Sequence, residues 1–134
     1  MGPIRLDNAT AWRTYSGGKL LAKLQGKQAY DSHFPEEWIC SLTSARNTDR
    51  EDCPKEGLSM LYDTPEISLK ELVEKDPSRY LGVRHAEIFG ANTGVLLKLI
   101  DSAERLTIQV HPTREIAKKL FNSEFGKTEC WHIL

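Results

Sequence analysis

Apolar and polar residues alternate most clearly between Gly94 and His111, GVLLKLIDSAERLTIQVH. Two apolar runs, Val95–Ile100 and Leu106–His111, flank the polar turn Asp101–Arg105. That spacing predicts two short antiparallel strands joined by a short connection. In the second run, alternation sends Leu106, Ile108 and Val110 to one face and Thr107, Gln109 and His111 to the other. Pro112 ends the run, because it has no amide to give to a ladder.

Two further alternating stretches read as strands. In Pro35–Leu42, Trp38, Cys40 and Leu42 alternate with Glu37, Ile39 and Ser41. In the final KTECWHIL, Glu129, Trp131 and Ile133 share one face, opposite Thr128, Cys130, His132 and Leu134. An apolar strand at the end of a chain lacks cover, which predicts that residues 1–134 are the front part of a longer protein.

Helical signals are local and strong. Ser68-Leu69-Lys70-Glu71 forms a capping box, Leu69, Leu72 and Val73 supply an apolar stripe, and Asp76-Pro77 closes the first helical stretch. After Pro112, Thr113 is the N-cap of a helix whose buried face is Ile116, Ala117, Leu120 and Phe121. Glu115 pairs with Lys119 four residues on, and 122–126 ends the helix. Lys19–Leu24 fits a short helix or a strand end, Gly17-Gly18 marks a tight turn, and residues 43–58 read as a surface loop.

Composition narrows the options. The chain has 134 residues, 40% of them hydrophobic, which is one domain's worth with a modest core. A net charge of -1 with lysines and arginines spread among acids gives no footprint for nucleic acid. No apolar run approaches the ~20 residues that span a bilayer, so no membrane partner is expected. Three cysteines without metal-type spacing (Cys40, Cys53, Cys130) fit reduced thiols in a cytoplasmic protein.

Candidate chemistry centres on a few side chains. Gln109 and His111 lie two apart on one strand face and converge on one point, and Glu129 has the character of a third ligand. Imidazole nitrogen with amide and carboxylate oxygens suits a borderline divalent ion such as zinc. The competing account is a polar strand face looking at water. Lys98 is the sharper oddity, because a buried ammonium is costly unless paired. Either its stem snorkels, or it faces an anion at a cavity mouth, where Lys127 joins it.

The run LLKLIDSAERLTIQVHP followed by GKTECWHIL resembles the signature of type I mannose-6-phosphate isomerase, also called phosphomannose isomerase. WRTYSGGKLL and HFPEEWICSLTSARN resemble the amino-terminal part of a bacterial branch of that family. The resemblance implies a mainly β fold: a portion of a cupin-type, jelly-roll barrel with inserted α-helices, incomplete in this chain. It implies zinc held by Gln109, His111 and Glu129, with a further histidine and an arginine from beyond position 134, so that this chain alone is expected to be inactive or impaired. His132 is the nearest substitute histidine, but alternation points it away from Glu129, while His33 and His85 lie in segments with no predicted direction.

By the same resemblance, Lys98, Thr107 and Lys127 lie near the sugar phosphate, with Lys127 also catalytic, and Glu37 and Trp12 line the pocket. Thr107 stands where the family often has serine, and keeps the hydroxyl. The implied reaction interconverts mannose 6-phosphate and fructose 6-phosphate through a cis-enediol, with a phosphorylated hexose as partner. Two other readings stand beside it. One is a non-catalytic cupin-like module that binds metal or sugar; the other is self-association of copies through unpaired strands.

Overall fold

The computed structural model describes residues 2–134. Its centre is a three-stranded antiparallel sheet in the order β1-β2-β3, made of Thr10–Ala11, Glu36–Ile39 and Leu97–Ile100. The middle strand β2 pairs Glu37 with Thr10 on one side and with Leu99 on the other. Trp38 stands opposite Lys98 in the same register. Ala9, Ala11 and Trp38 form the buried cluster, and Ala45 and Leu96 pack against it. Helix exceeds strand, at 25% against 14%, so the chain is a small sheet with several helices and the expected mainly β character does not emerge.

The helices follow their local signals. The first, α1, is Lys19–Leu24, which settles the helix-or-strand choice for KLLAKL. Next, α2 spans Leu69–Lys75, with Ser68 capping Glu71 N–H and Glu71 reaching back to Ser68 N–H. Asp76 ends α2 and at once caps α3, Pro77–Leu81, where proline occupies the first turn. A helix that no cap announced, α4, follows at Val83–Phe89, set between Gly82 and Gly90. The last, α5, is Arg114–Phe121, capped by Thr113 and closed by Asn122 in the left-handed conformation.

Only Ala117 of the expected buried face of α5 is buried; Ile116, Leu120 and Phe121 are exposed. The Glu115–Lys119 pair is not made among the described residues. Lys118 and Arg114 instead reach Glu124 beyond the helix, at 2.8 and 3.8 Å.

The expected hairpin between Val95–Ile100 and Leu106–His111 does not form. Only Leu97–Ile100 is a strand, and its partner is β2. The connection is occupied elsewhere: Asp101 C=O accepts from Gly18 N–H (2.9 Å), and Ala103 N–H donates to Ser16 C=O (3.0 Å). The chain after β3 therefore runs along the glycine turn instead of folding back on β3. Residues 106–111 make no strand, and Ile108 and Val110 are about nine-tenths exposed. Residues 128–134 likewise make no strand, and the strand expected within Pro35–Leu42 spans Glu36–Ile39, ended by Cys40 at φ 49°.

Two glycines make the close approaches possible. A Cβ on Gly17 would lie 1.9 Å from Asp101 C=O, so the turn fits only without a side chain. Gly57, at φ 81°, brings the loop 43–58 onto the Trp38 ring, where a Cβ would sit 2.8 Å from ring carbons. Gly57→Ala should therefore destabilise the chain by about 1–3 kcal/mol through strain and overpacking. The urea midpoint followed by tryptophan fluorescence measures this, and an unchanged midpoint would show that the loop is not held against Trp38.

Candidate functional site

Two clusters of polar side chains gather the residues with chemistry. The first is built on the Glu36 carboxylate, 5% exposed, on the same face of β2 as Trp38. Tyr15 O–H donates to Glu36 Oε1 (2.6 Å) and Trp38 Nε1–H donates to Oε2 (2.7 Å). The Arg13 guanidinium approaches Oε1 at 3.0 Å through Nε, and Lys98 Nζ approaches Oε2 at 3.2 Å. Both cations also lie over the Trp38 ring, at 4.9 and 5.0 Å from its centre.

Burial by itself would raise the Glu36 pKa. The hydrogen bonds from Arg13, Tyr15 and Trp38, with the Lys98 charge, overcome it and bring the group down to about 2. The Tyr15 phenol moves the other way, well above its ordinary value, because of burial first and then its bond to Glu36. Arg13 offsets part of that, and Glu129 adds to it.

The second cluster holds the residues singled out as metal ligands. His111 Nε2 lies 3.1 Å from Glu129 Oε2. Lys127 Nζ donates to Gln109 Oε1 (2.6 Å) and lies 3.5 Å from Glu129 Oε2. Lys127 N–H donates to Pro112 C=O (3.0 Å), which holds residues 109–112 alongside 127–129 without a ladder. The structure thus brings Gln109, His111, Glu129 and Lys127 together. Among the described residues no three His, Cys, Asp or Glu side chains assemble into a metal-binding group, so a metal here needs the Gln109 amide oxygen as third donor. The chemistry of the set fits: one imidazole nitrogen and two oxygens, which already accept a cationic ammonium.

The other singled-out residues are placed as follows. Lys98 does face an anion, and that anion is Glu36. Glu37 is buried on the opposite face of β2, where Oε2 accepts from Gln25 Nε2 (2.6 Å). Trp12 stacks beside His33 at 5.5 Å and donates its backbone N–H to Glu56. Thr107 is exposed, in the segment without a ladder. His33 and His85 each bond a backbone carbonyl, of Arg13 and Asn92. Glu36, Arg13 and Tyr15 were not anticipated, although the inward side of Trp38 two residues on was the signal for Glu36.

The Glu36 pKa lies below that of an unfolded glutamate, near 4.5, so its stabilisation is present above about pH 4.5 and is lost as pH falls through about 2. Glu36→Gln leaves Arg13 and Lys98 without their counter-charge and should cost about 3 kcal/mol or more at neutral pH. Urea unfolding at neutral pH and again near pH 2 should show the gap between variant and parent closing with acid. A gap that stays constant would place the loss in packing instead of charge.

Comparison with known proteins adds a family to this geometry. Residues 54–127 match the family described as phosphomannose isomerase type I, catalytic domain. Over 54 residues the chain is 46% identical to the probable mannose-6-phosphate isomerase GmuF of Bacillus subtilis, covering 37% of this chain and 17% of that protein. It is 43% identical over the same length to the mannose-6-phosphate isomerase ManA of that organism, again covering 37% and 17%. With the mannose-6-phosphate isomerase of Streptococcus mutans it shares 36% identity over 62 residues, 43% of this chain and 19% of that one. The match thus spans less than a fifth of the relatives' length. No solved structure matches significantly. Among the described residues no helix is long and apolar enough to cross a membrane.

Proposed function

The chain belongs to the type I phosphomannose isomerase family, and from that premise we propose that it carries the metal- and phosphate-handling portion of a zinc-dependent aldose–ketose isomerase. The substrate pair is mannose 6-phosphate and fructose 6-phosphate, the cupin-type barrel is the setting, and three free thiols suit a cytoplasmic location. The observation that carries this reading is the meeting of Gln109, His111 and Glu129, with Lys127 between the amide and the carboxylate.

In this reading, His111 gives the one nitrogen ligand, and Gln109 and Glu129 give oxygens. Zinc, when bound, supplies a Lewis acid for the sugar's carbonyl and hydroxyl oxygens. Lys127, beside those ligands, acts on the reacting end or the phosphate. Lys98 and Arg13 hold positive charge on the neighbouring Glu36 cluster and draw the anionic sugar in. Thr107 offers a hydroxyl and Trp12 an aromatic wall at the margin, while Glu37 supports β2 from behind.

The test pairs metal content with turnover. Zinc retention and hexose-phosphate interconversion are measured on the isolated chain and on the full-length gene product, each as parent, His111→Ala and Lys127→Ala. His111→Ala should lose the zinc altogether. Lys127→Ala should keep it and raise KM about tenfold or more, the worth of one charge-assisted hydrogen bond at about 1.5–3 kcal/mol. Zinc that survives His111→Ala moves the site elsewhere. Turnover in the full-length gene product alone supports the isomerase reading, and stoichiometric zinc with no turnover in either it or the isolated chain makes the protein a binding module instead.

A further inference from the structure

We propose that Glu56, acting through Asn47, is the positioning residue that sets Arg13 on Glu36, so that the loop 43–58 fixes the charge cluster beside the candidate ligands. The functional value of the cluster rests on the reading above; the geometry does not.

Glu56 is the hub of the loop, with its side chain 9% exposed. Its Oε1 accepts from Asn47 Nδ2 (3.0 Å) and from Trp12 backbone N–H (3.1 Å). Its Oε2 accepts from Arg50 through Nε (3.0 Å) and Nη2 (2.5 Å), and its C=O accepts from Ala45 N–H (2.7 Å). One carboxylate thus ties two points of the loop, Asn47 and Arg50, to the residue that follows β1, and the backbone carbonyl of Glu56 holds a third, Ala45.

Asn47 passes this order on. Its Oδ1 accepts from Arg13 Nη1 (3.3 Å), while Nδ2 donates to Glu56. The amide can face only this way. Turned over, it would set N–H against N–H at Arg13 and oxygen against the Glu56 carboxylate. Arg13 Nη1 also donates to Trp12 C=O (2.7 Å), so the guanidinium is pinned at one corner while Nε meets Glu36. A planar fork held at two places cannot swing away from its carboxylate. The groups facing Glu36 are Arg13 held by the loop, Tyr15 after β1, Trp38 on β2 and Lys98 on β3.

A loop anchor and a positioning residue differ in one readout. The Glu36 carboxyl titration is followed by carbon NMR in the full chain, beside urea stability. Asn47→Ala and Glu56→Gln should each raise the Glu36 titration by about one unit, since a hydrogen-bonded cation is loosened. Ser68→Ala removes the α2 cap, outside this chain of contacts, and should lower stability without moving Glu36. Asn47→Ala leaves no buried charge unpaired, so it remains informative even where Glu56→Gln folds poorly. A Glu36 titration that stays at the parent value in Asn47→Ala, with stability reduced, reduces Glu56 to a loop anchor and overturns the proposal. Zinc binding and turnover are measured separately, so failure of the isomerase reading leaves this result interpretable.

Discussion

A carboxylate cannot be taken out of water unless its lone pairs and charge are met, and Glu36 is where this chain faces that constraint. Its four donors come from three stretches of the chain. Arg13 and Tyr15 follow β1, Trp38 shares β2 with it, and Lys98 stands on β3. Each strand of the sheet, or its immediate continuation, therefore reports to one pair of oxygens. Register is fixed by the same contacts: Lys98 lies opposite Trp38, so a slip of one residue would turn the ammonium away from both the ring and the acid. With so few fully buried apolar residues, this polar node supplies specificity that the core alone does not.

What could be read from the sequence was what neighbouring residues decide among themselves. The Ser68–Glu71 box, the Asp76-Pro77 boundary and the Thr113 cap lie where the pattern puts them, because each involves residues within one helical turn. Strand pairing is a different kind of fact. Leu106–His111 alternates as well as Leu97–Ile100 does, yet only the latter meets a partner among the described residues. The deciding contact, Asp101 on the Gly17-Gly18 turn, joins residues more than eighty positions apart. No window on the sequence contains it.

The site divides along the same line. Gln109 and His111 were legible as a pair by alternation, and Glu129 as a third ligand by its character, which the family resemblance then joined to them. The structure places all three within one cluster. Glu37 drew attention ahead of Glu36, although both are buried, because the sequence does not say what covers each face of β2. Here α1 covers the Glu37 face through Gln25 at its end, while the cations and Tyr15 gather on the other. Lys98 showed the reverse case: its oddity in an apolar run was visible, and its partner was not.

The charges of the two clusters explain why they belong together. Arg13, Lys98 and Lys127 bring three fixed positive charges, against the carboxylates of Glu36 and Glu129. With His111 neutral, the region carries a surplus of one positive charge before any ligand arrives. Such a surplus, held on side chains already oriented by hydrogen bonds, favours an anion and costs little reorganisation when it binds. A divalent ion on Gln109, His111 and Glu129 would deepen that surplus. On the proposed isomerase reading, the Lys127 ammonium, now shared between Gln109 and Glu129, would then be repelled by the ion and better matched to a phosphate. The buried Glu36 acts against excess: by neutralising part of Arg13 and Lys98, it keeps the free region from repelling itself apart.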